Sequence, residues 1–499
     1  MSASETIEGT PGAEPGPSAR TALHWDYAPA PESTDHVRLA DRYELFLDGG
    51  FVAPAEDSAH ATVNPATEER LADVAFAGAA DIDAAVAAAR RALPRWQALA
   101  PLERGKYLFR IARLIQERAR ELAVVESLDG GKPIREARDI DVPLAAAHFF
   151  YYAGWADKLE HVTAGRPVRP RGVCAQIVPW NFPLLMAAWK LAPALACGNV
   201  AILKPAETTP LTALLLAEIC QEAELPRGVL AVLPGDGATG AALVRHPDID
   251  KVAFTGSTAV GREIQGALAG SDVSLTLELG GKSANIVFED ASIDQAVEGI
   301  VSGIFFNQGH VCCAGSRLLV QESVHEEVVE KLWTRMQRLR IGDPLDKNTD
   351  IGAINSAAQL ARIEELVSCG ELEGARRRTI DGRLPERGYW FAPTLFTDVS
   401  PAHRIAVDEI FGPVLSVLTF RTQAEAVEKA NASVYGLAAG IWTDKGAKAF
   451  EVAAALRSGV VWQNTYNRFD PTAAFGGYRE SGFGREGGPS GLRPYLRVS

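Results

Sequence analysis

The sequence is poor in cysteine, with six among 499 residues and no two of them spaced as CxxC. This scarcity excludes a disulfide framework and gives no indication of a zinc site. Long apolar runs are also missing, since stretches such as residues 211–220 fall far short of the ~20 residues that a membrane helix needs. No basic segment followed by an apolar stretch opens the chain, so a secretory signal is not predicted. We therefore expect a cytoplasmic protein with no membrane contact.

An excess of positive charge is absent as well. Lys and Arg number 50 against 63 Asp and Glu, which gives a net charge of −13, and no long basic run occurs. A surface that neutralises phosphate backbones needs the opposite balance, so no nucleic acid partner is expected. The hydrophobic share of 47% and the charged share of 23% are ordinary for globular proteins, and the length suits several domains.

The pattern along the chain divides into a polar start and two regions of alternating strands and helices. Residues 1–40 are rich in Gly, Pro, Ser and Glu with few aliphatic side chains, which predicts a disordered tail. Between residues 173 and 281, short β-branched runs alternate with amphipathic ones, which predicts a parallel sheet with helices on both faces. Residues 283–459 repeat these signals, so a second α/β lobe and a cleft between the lobes are expected.

Two glycine motifs compete as nucleotide-binding turns. Residues 235–240 match GxGxxG after a predicted strand, which is the dinucleotide fingerprint. The other candidate is Gly256 and Ser257 in FTGS, followed by Gly261, where a strand leads into a helix N-terminus that attracts anions. Each motif alone is also compatible with a plain strand-to-helix turn. The GGKS at residues 280–283 is not a phosphate-binding loop, because Thr276 stands where that motif needs glycine.

Several side chains are candidates for chemistry, although each has an ordinary structural alternative. Cys312 is flanked by small residues that let a substrate approach, but a lone cysteine is often an inert buried thiol. Glu278 ends a predicted strand among apolar residues and glycines, which suits a desolvated general base, whereas an isolated Glu is usually a surface carboxylate. Asn181, within PWNFP, is either a turn cap or a rigid hydrogen-bond donor. Lys204 and Glu207 could form an ordinary exposed ion pair.

Taken together, these segments occur in an order that resembles the NAD(P)-dependent aldehyde dehydrogenases. The motifs are PWNFP, KPAE, FTGS, LELGGKS, NQGHVCCAGSR, EIFGPV and FGG followed by SG, and the resemblance runs from about residue 43 to the C-terminus. The segments LLVQES, GDPLD and GGPSGLRPYLR look most like the first half of the sixteenth aldehyde dehydrogenase family. Members of that subfamily usually carry a second, degenerate half, so a separately encoded half is one partner to expect.

The resemblance implies a fold and a division of the chain. The expected class is α/β: an aldehyde dehydrogenase-like fold with a Rossmann-like parallel-sheet cofactor domain, an α/β catalytic domain and a small β oligomerisation arm. Residues 41–147 and 171–281 would form the NAD-binding domain, residues 282–479 the catalytic domain, and residues 148–170 and 480–499 the arm. An arm leaves a sheet edge that another chain normally covers, so a homodimer or homotetramer is expected.

The resemblance also implies an oxidoreductase that converts a small-molecule aldehyde to a carboxylic acid with NAD. Cys312 would be the nucleophile that forms a thiohemiacetal and then a thioester, Glu278 the general base and Asn181 the oxyanion donor, with Lys190 assisting proton exit. A catalytically silent scaffold and a CoA-acylating aldehyde dehydrogenase are the alternatives. The intact catalytic set disfavours the first, and Glu278 disfavours the second.

Two further residue sets follow from the resemblance, and no metal site is among them. The cofactor set is Ile177, Trp180, Lys204, Glu207, Gly237, Phe254, Gly256, Ser257, Gly261, Leu279, Gln359, Glu409 and Phe411. The substrate set is Phe182, Met186, Trp189, Val311, Phe469 and Phe475. Glu207 would repel a 2′-phosphate, so NAD is expected in preference to NADP. The apolar substrate set predicts medium-chain aliphatic or aromatic aldehydes, with Arg468 leaving an acidic semialdehyde open.

Three positions depart from the family pattern. His310 replaces the usual Gln two residues before Cys312, Asp408 replaces a Glu, and Ala474 replaces a Pro. The imidazole of His310 either favours the thiolate of Cys312 or simply packs, and packing is the more common fate of such a ring.

Overall fold

The computed structural model describes residues 28–382 and 384–498. Its strands are β1 (Arg42–Tyr43), β2 (Leu45–Leu47), β3 (Gly50–Val52), β4 (Ala59–Val63), β5 (Arg70–Ala75), β6 (Val168–Pro170), β7 (Val173–Ile177), β8 (Val200–Lys204), β9 (Leu230–Val232), β10 (Lys251–Thr255), β11 (Ser274–Glu278), β12 (Ala284–Val287), β13 (Arg317–Gln321), β14 (Arg376–Thr379), β15 (Thr394–Thr397), β16 (Val414–Phe420), β17 (Ala438–Trp442), β18 (Val460–Gln463), β19 (Gly482–Phe483) and β20 (Leu496–Val498).

The helices surround these strands, and none in the described ranges is long and apolar enough to cross a membrane. They are α1 (Ala79–Ala98), α2 (Pro101–Glu117), α3 (Ala119–Gly130), α4 (Ile134–Glu136), α5 (Val142–Ala153), α6 (Pro183–Ala196), α7 (Leu211–Glu222), α8 (Gly237–Arg245), α9 (Thr258–Ala267), α10 (Ile293–Phe305), α11 (His325–Met336), α12 (Ala357–Leu372), α13 (Arg404–Val407), α14 (Gln423–Asn431) and α15 (Gly446–Ala455). A π-helical turn (Ala137–Asp141) joins α4 to α5, and a 3₁₀ turn (Phe306–Gly309) follows α10.

The parallel sheet predicted from residues 173–281 forms the centre of an eight-stranded sheet with the order β19-β11-β10-β7-β8-β9-β2-β3. Strands β11, β10, β7, β8 and β9 are parallel, and both edges are antiparallel. Their apolar sequences fit burial on both faces. The chain runs outward from β7 to β9 on one side and through β10 to β11 on the other, so the topological switch point lies between β7 and β10. Open α/β sheets bind ligands beyond the carboxyl ends of their strands at such a point.

The second lobe holds a seven-stranded sheet with the order β14-β15-β16-β13-β12-β17-β18. Neighbouring strands are parallel except for the edge pair β14 and β15. Residues 279–283 connect β11 of the first sheet directly to β12 of the second. The carboxyl end of β11, where Glu278 lies, therefore meets the second lobe.

Helix α6 positions two of the predicted catalytic residues, of which Lys190 lies within the helix and Asn181 just before it. All 14 of its residues are buried, as an almost wholly apolar helix requires. It begins at Pro183, a residue suited to the first helical position, directly after the loop that holds Asn181. Lys190 is the one charged side chain of this helix and is fully buried.

Residues 28–40 differ from the predicted disordered tail. Glu32 is 8% exposed, pairs with Arg120 and Lys347, and donates its backbone N–H to the Leu345 carbonyl at 2.8 Å. A count of aliphatic residues misses such charge-assisted contacts, which hold this stretch against α3 and the second lobe. Residues 1–27 of the predicted tail lie outside the described residues.

The predicted arm also differs from the structure at its start. Residues 148–153 complete α5, where His148, Phe149 and Tyr152 are buried. These aromatic side chains belong to the core, so this part of the predicted arm is not exposed. Strands β6 and β20 then pair antiparallel as a separate two-stranded sheet. β19, in the other predicted arm segment, instead joins the eight-stranded sheet beside β11.

Candidate active site

A cavity of about 270 Å³ lies between the two lobes. Its walls include residues at the ends of β10 and β11, the loop between β7 and α6, the loop before β13 and the turn before β16. Cys312, Glu278 and Asn181 all line it. Three side chains that are far apart in the chain are thus brought to one place by the fold.

Glu278 is the last residue of β11 and is 4% exposed. Neither of its carboxylate oxygens has a hydrogen-bond partner among the described residues. Burial, together with the nearby charge of Glu486, raises the pKa of Glu278 well above its usual value, and Lys190 partly opposes this. A carboxylate in such surroundings is a stronger base than an exposed one, which suits general-base catalysis.

Cys312 lies in the loop between the 3₁₀ turn and β13. Its neighbour Cys313 is fully buried, with Sγ 3.7 Å from Oδ1 of Asn467, whereas Cys312 keeps partial exposure. A hydrogen bond with Cys313, together with burial, raises the pKa of the Cys312 thiol well above its usual value. The resting thiol is therefore protonated and must lose its proton when the sulfur attacks.

A backbone in an uncommon conformation leads to Cys312. Asn307 and Gln308 have φ angles of 48° and 53°, in the left-handed region that costs a residue with a side chain about 1–2 kcal/mol. The Gln308 side-chain amide donates to the carbonyl oxygens of Gly131 at 3.3 Å and Ala353 at 3.0 Å. These buried hydrogen bonds stabilise the turn in spite of its strain.

Asn181 is linked twice to the segment that leads to Cys312. Its side-chain Nδ2 donates to the backbone oxygen of His310 at 2.7 Å. Its own backbone oxygen accepts a hydrogen bond from Nδ2 of Asn307, also at 2.7 Å. A side-chain amide carries two N–H groups, so the second one is available to an oxygen atom of a substrate attached to Cys312.

An ion pair that sequence reasoning missed lies beside Glu278. Buried Lys190 contacts Oε1 of Glu486, and Glu486 lines the cavity. The backbone of Glu486 exchanges hydrogen bonds of 2.7 and 2.8 Å with that of Phe475, which fixes its position. The sequence signal that could have revealed Glu486 is GREGG at residues 484–488, because this carboxylate lies next to glycines, as that of Glu278 does. Lys190 is not among the lining residues, so it acts on the cavity through Glu486.

Part of the cavity wall suits a ligand with phosphate and hydroxyl groups. Gly256 and Ser257 line it at the N-terminus of α9, where backbone N–H groups attract anions. The buried Oγ1 of Thr255 in the same wall has no partner among the described residues. Glu409 contributes from the second lobe, and its Oε1 accepts the N–H of Gly281 at 3.0 Å. Burial raises the pKa of Glu409 to about 7.

Four more residues of the predicted cofactor set line this cavity, namely Trp180, Leu279, Gln359 and Phe411. The rings of Trp180 and Phe411 meet edge to face with centroids 5.3 Å apart. The Gln359 amide donates to the carbonyl oxygens of Ile410 at 3.1 Å and Phe411 at 2.9 Å. Gln359 thereby also holds the turn in which Phe411 has a φ of 57°.

The remaining residues of that set do not line the cavity: Ile177, Lys204, Glu207, Gly237, Phe254 and Gly261. Ile177 and Lys204 end neighbouring strands in register, and Phe254 lies opposite Ile177 on the other side. Nζ of Lys204 is 3.9 Å from the half-exposed carboxylate of Glu207. A Cβ on Gly240 of the GxGxxG segment would lie 3.4 Å from Cδ of Lys204. Ile177, Lys204 and Phe254 therefore lie at the same carboxyl edge of the sheet as the cavity, but outside its walls.

All six residues of the predicted substrate set line the cavity. The ring centroid of Trp189 is 5.4 Å from that of Phe475 and 6.3 Å from that of Phe469, and Phe182 stacks on Phe306 at 5.9 Å. These contacts form an aromatic wall. Arg468 lines an adjoining cavity instead, so it does not contribute to the aromatic wall beside Cys312.

His310 packs between aromatic rings. Its centroid is 4.8 Å from that of Trp180, edge to face, and 5.8 Å from that of Phe411, stacked. Burial and the charge of Lys132 lower the pKa of His310 to about 3, so the ring is neutral. Of the two roles open from the sequence, the structure supports packing and not stabilisation of a thiolate at Cys312.

Comparison with known proteins gives the family. The profile of the aldehyde dehydrogenase family matches residues 51–499. The chain belongs to this family. Retinal dehydrogenase 2 of Homo sapiens is 46% identical over 450 residues, covering 87% of the chain and 86% of that protein. The mitochondrial benzaldehyde dehydrogenase of Antirrhinum majus is 45% identical over 467 residues, covering 91% and 88%.

A solved structure of an aldehyde dehydrogenase agrees with the fold. The NAD⁺ complex of the aldehyde dehydrogenase from Bacillus cereus matches with a TM-score of 0.90 and 42% identity, covering 92% of this chain and 96% of that one. The predicted α/β aldehyde dehydrogenase fold is confirmed. In this aldehyde dehydrogenase, sequence reasoning did not single out Thr255 and Glu486, which line the cavity, or Asn307, which holds Asn181, although Thr255 and Asn307 lie inside quoted motifs.

Proposed function

We propose that this aldehyde dehydrogenase oxidises an aldehyde to a carboxylic acid with NAD, through a thiohemiacetal and a thioester on Cys312. One observation carries the proposal: a thiol, a carboxylate without hydrogen-bond partners in the described residues and an amide donor line the same cavity. Aromatic side chains form one part of the remaining cavity wall, and the N-terminus of α9 forms another part.

The proposed reaction begins when the Cys312 thiol loses its proton to solvent water and the sulfur bonds to the aldehyde carbon. The Asn181 amide and the Cys312 backbone N–H hold the oxyanion that forms. NAD, when bound, accepts the hydride that leaves this carbon, and the carbon becomes a thioester. Glu278 then takes a proton from water as its oxygen attacks the thioester, the carbon–sulfur bond breaks and the acid leaves. After the thioester is hydrolysed, Glu278 passes the proton that it took from water toward Glu486, which is paired with Lys190.

NAD suits the polar residues of the site. The N-terminus of α9 at Ser257 would hold the pyrophosphate. Glu409 has one oxygen committed to the Gly281 N–H and would accept a ribose hydroxyl with the other. Lys204 and Glu207 would take the adenine ribose farther along the sheet edge. The unpartnered hydroxyl of Thr255 supports this assignment, because a buried polar atom needs a hydrogen bond that a ligand can supply.

Replacement of Glu207 by Ser is expected to improve the use of NADP. A half-exposed carboxylate near a 2′-phosphate repels it by about 1 kcal/mol, so kcat/KM for NADP should rise roughly fivefold. Steady-state kinetics with both cofactors measure this change. Glu222→Ser is the matched control, because it removes an exposed carboxylate at the end of α7 and should leave both cofactor efficiencies unchanged. An unchanged NADP efficiency in Glu207→Ser would remove Glu207 from the cofactor site.

Longer unbranched aldehydes are expected to be better substrates. Each methylene that the wall of Phe182, Met186, Trp189, Phe469 and Phe475 buries contributes about 0.8 kcal/mol, or roughly fourfold in kcat/KM. The specificity constant should therefore rise from acetaldehyde to hexanal, which a series of initial rates at saturating NAD measures. A steady fall along the same series would contradict an apolar substrate site.

One assay separates the proposed function from its alternatives. NADH formation is followed with a panel of aliphatic and aromatic aldehydes, with and without CoA. Turnover without CoA, with a free carboxylic acid as product, is the expected result. Turnover that requires CoA would favour the acylating reaction, and the absence of turnover with every aldehyde would favour a silent scaffold.

We propose a homodimer or homotetramer built through the two-stranded sheet of β6 and β20. A two-stranded sheet has open edges on both sides, and such edges are normally covered by another strand. Light scattering on the purified protein measures this directly. A mass above the 53.4 kDa of one chain is expected, and a clean monomer at micromolar concentration would contradict assembly.

Three finer assignments stay predictions. The domain bounds of 41–147 with 171–281, 282–479, and 148–170 with 480–499 rest on the resemblance, although residues 148–153 lie in α5 and β19 pairs with β11. Membership of the sixteenth family rests on LLVQES, GDPLD and GGPSGLRPYLR. A cytoplasmic location rests on the scarcity of cysteine, and fractionation of the source cells tests it.

A further inference from the structure

The oxyanion donor Asn181 depends on a chain of contacts that starts outside the cavity. Asn307 is 1% exposed, and its Nδ2 donates to the backbone oxygen of Asn181 at 2.7 Å. The backbone N–H of Asn307 donates to Oε2 of Glu136 at 2.8 Å. Neither Asn307 nor Glu136 lines the cavity, so neither is placed to touch a substrate.

The two hydrogen bonds of Asn181 form a clamp. Asn307 holds its backbone oxygen, and the His310 carbonyl holds its side-chain amide. Both partners lie within five residues of Cys312 on the same segment. The clamp therefore ties the position of the oxyanion donor to the position of the nucleophile.

We propose that Asn307 is a positioning residue for the oxyanion donor Asn181, and that Glu136 holds Asn307 in place. This inference rests on the proposed function, because it assumes that an oxyanion forms at Cys312. Asparagine suits the position for two reasons. It tolerates the left-handed φ of 48° better than most residues, and its side chain supplies the donor that glycine lacks.

The choice of variants separates the side chain of Asn307 from its backbone. Asn307→Gly keeps the left-handed backbone accessible and removes the donor, while Asn307→Asp keeps the shape and the backbone preference and also removes the donor. Both should lower kcat about 10- to 100-fold with little change in KM for NAD, because a small displacement of a catalytic group has effects of this size. Asp139→Asn, on the exposed side of the neighbouring π-helical turn, is the matched control and should retain full activity.

A double-mutant cycle with Asn181→Ala gives the decisive readout. Asn181→Ala alone should lower kcat about 10²- to 10³-fold, as the loss of one oxyanion donor does. If Asn307 acts through Asn181, Asn307→Gly should cost less than about threefold more in the Asn181→Ala background. Fully additive losses, with melting temperatures close to that of the wild type, would overturn the proposal.

Two further measurements distinguish the positioning of Asn181 from an effect on the Cys312 thiol and test the role of Glu136. The rate at which iodoacetamide alkylates Cys312 in the protein without NAD should stay within about twofold in Asn307→Gly, whereas a role in placing the thiol would change it. Glu136→Gln keeps an oxygen that accepts the Asn307 N–H, so it should retain more activity than Glu136→Ala. A wild-type protein that reduces no NAD with any aldehyde would overturn the proposed function, whereas an active one with an additive cycle would overturn the positioning role alone.

Discussion

Replacement of Cys312 by alanine is expected to lower NADH formation by about four orders of magnitude or more, because removal of a nucleophile abolishes the covalent route. Cys313→Ala should have a much smaller effect, since Cys313 is fully buried and its Sγ lies against Asn467. Initial rates with hexanal and NAD measure both. Retained turnover in Cys312→Ala with loss in Cys313→Ala would mean that the other sulfur is the nucleophile.

Replacement of Glu278 by glutamine is expected to separate the two halves of the reaction. Without a base to activate water, the thioester should persist, and steady-state turnover should fall about 10²- to 10⁴-fold. A rapid burst of NADH, not exceeding one per active site, should precede the slow phase. Stopped-flow measurement tests this, and a variant with unchanged steady-state turnover would exclude Glu278 as the base for deacylation.

The pH dependence provides a second test of the same residue. Only the ionised form of Glu278 acts as a base, and burial together with Glu486 raises its pKa. The rate of deacylation should therefore rise with pH through a value above that of an ordinary glutamate. Glu486→Gln removes a negative charge beside Glu278, so its pKa should fall and the rising limb should move to lower pH.

The catalytic residues are accessible to sequence reasoning because each lies in a local motif with its own chemistry. Glu278 ends a strand before two glycines, and Asn181 stands between two prolines. Glu486 and Asn307 act through long-range contacts instead. Lys190 and Glu486 are 296 residues apart, and Glu136 and Asn307 are 171 residues apart. No local pattern shows which distant backbone or side chain such a residue will meet.

The fold likewise has parts that local sequence signals predict and parts that depend on long-range packing. Alternating strand and helix signals predict the parallel sheet between residues 173 and 281, and that sheet is present. The sequence HFFYY, at residues 148–152, begins the segment that the family resemblance assigns to the arm. It lies in α5 instead, where Pro143 in the first turn and the alanines before His148 favour a helix and core packing decides the outcome.

The most direct test of the central claim is mass spectrometry of the Glu278→Gln variant after a brief reaction with hexanal and NAD. A hexanoyl group is expected on the peptide that contains Cys312, on the sulfur of that residue, in an amount equal to the NADH formed in the burst. A hexanoyl group on Cys313 or on a lysine, or NADH formation with no acylated peptide, would contradict a thioester on Cys312.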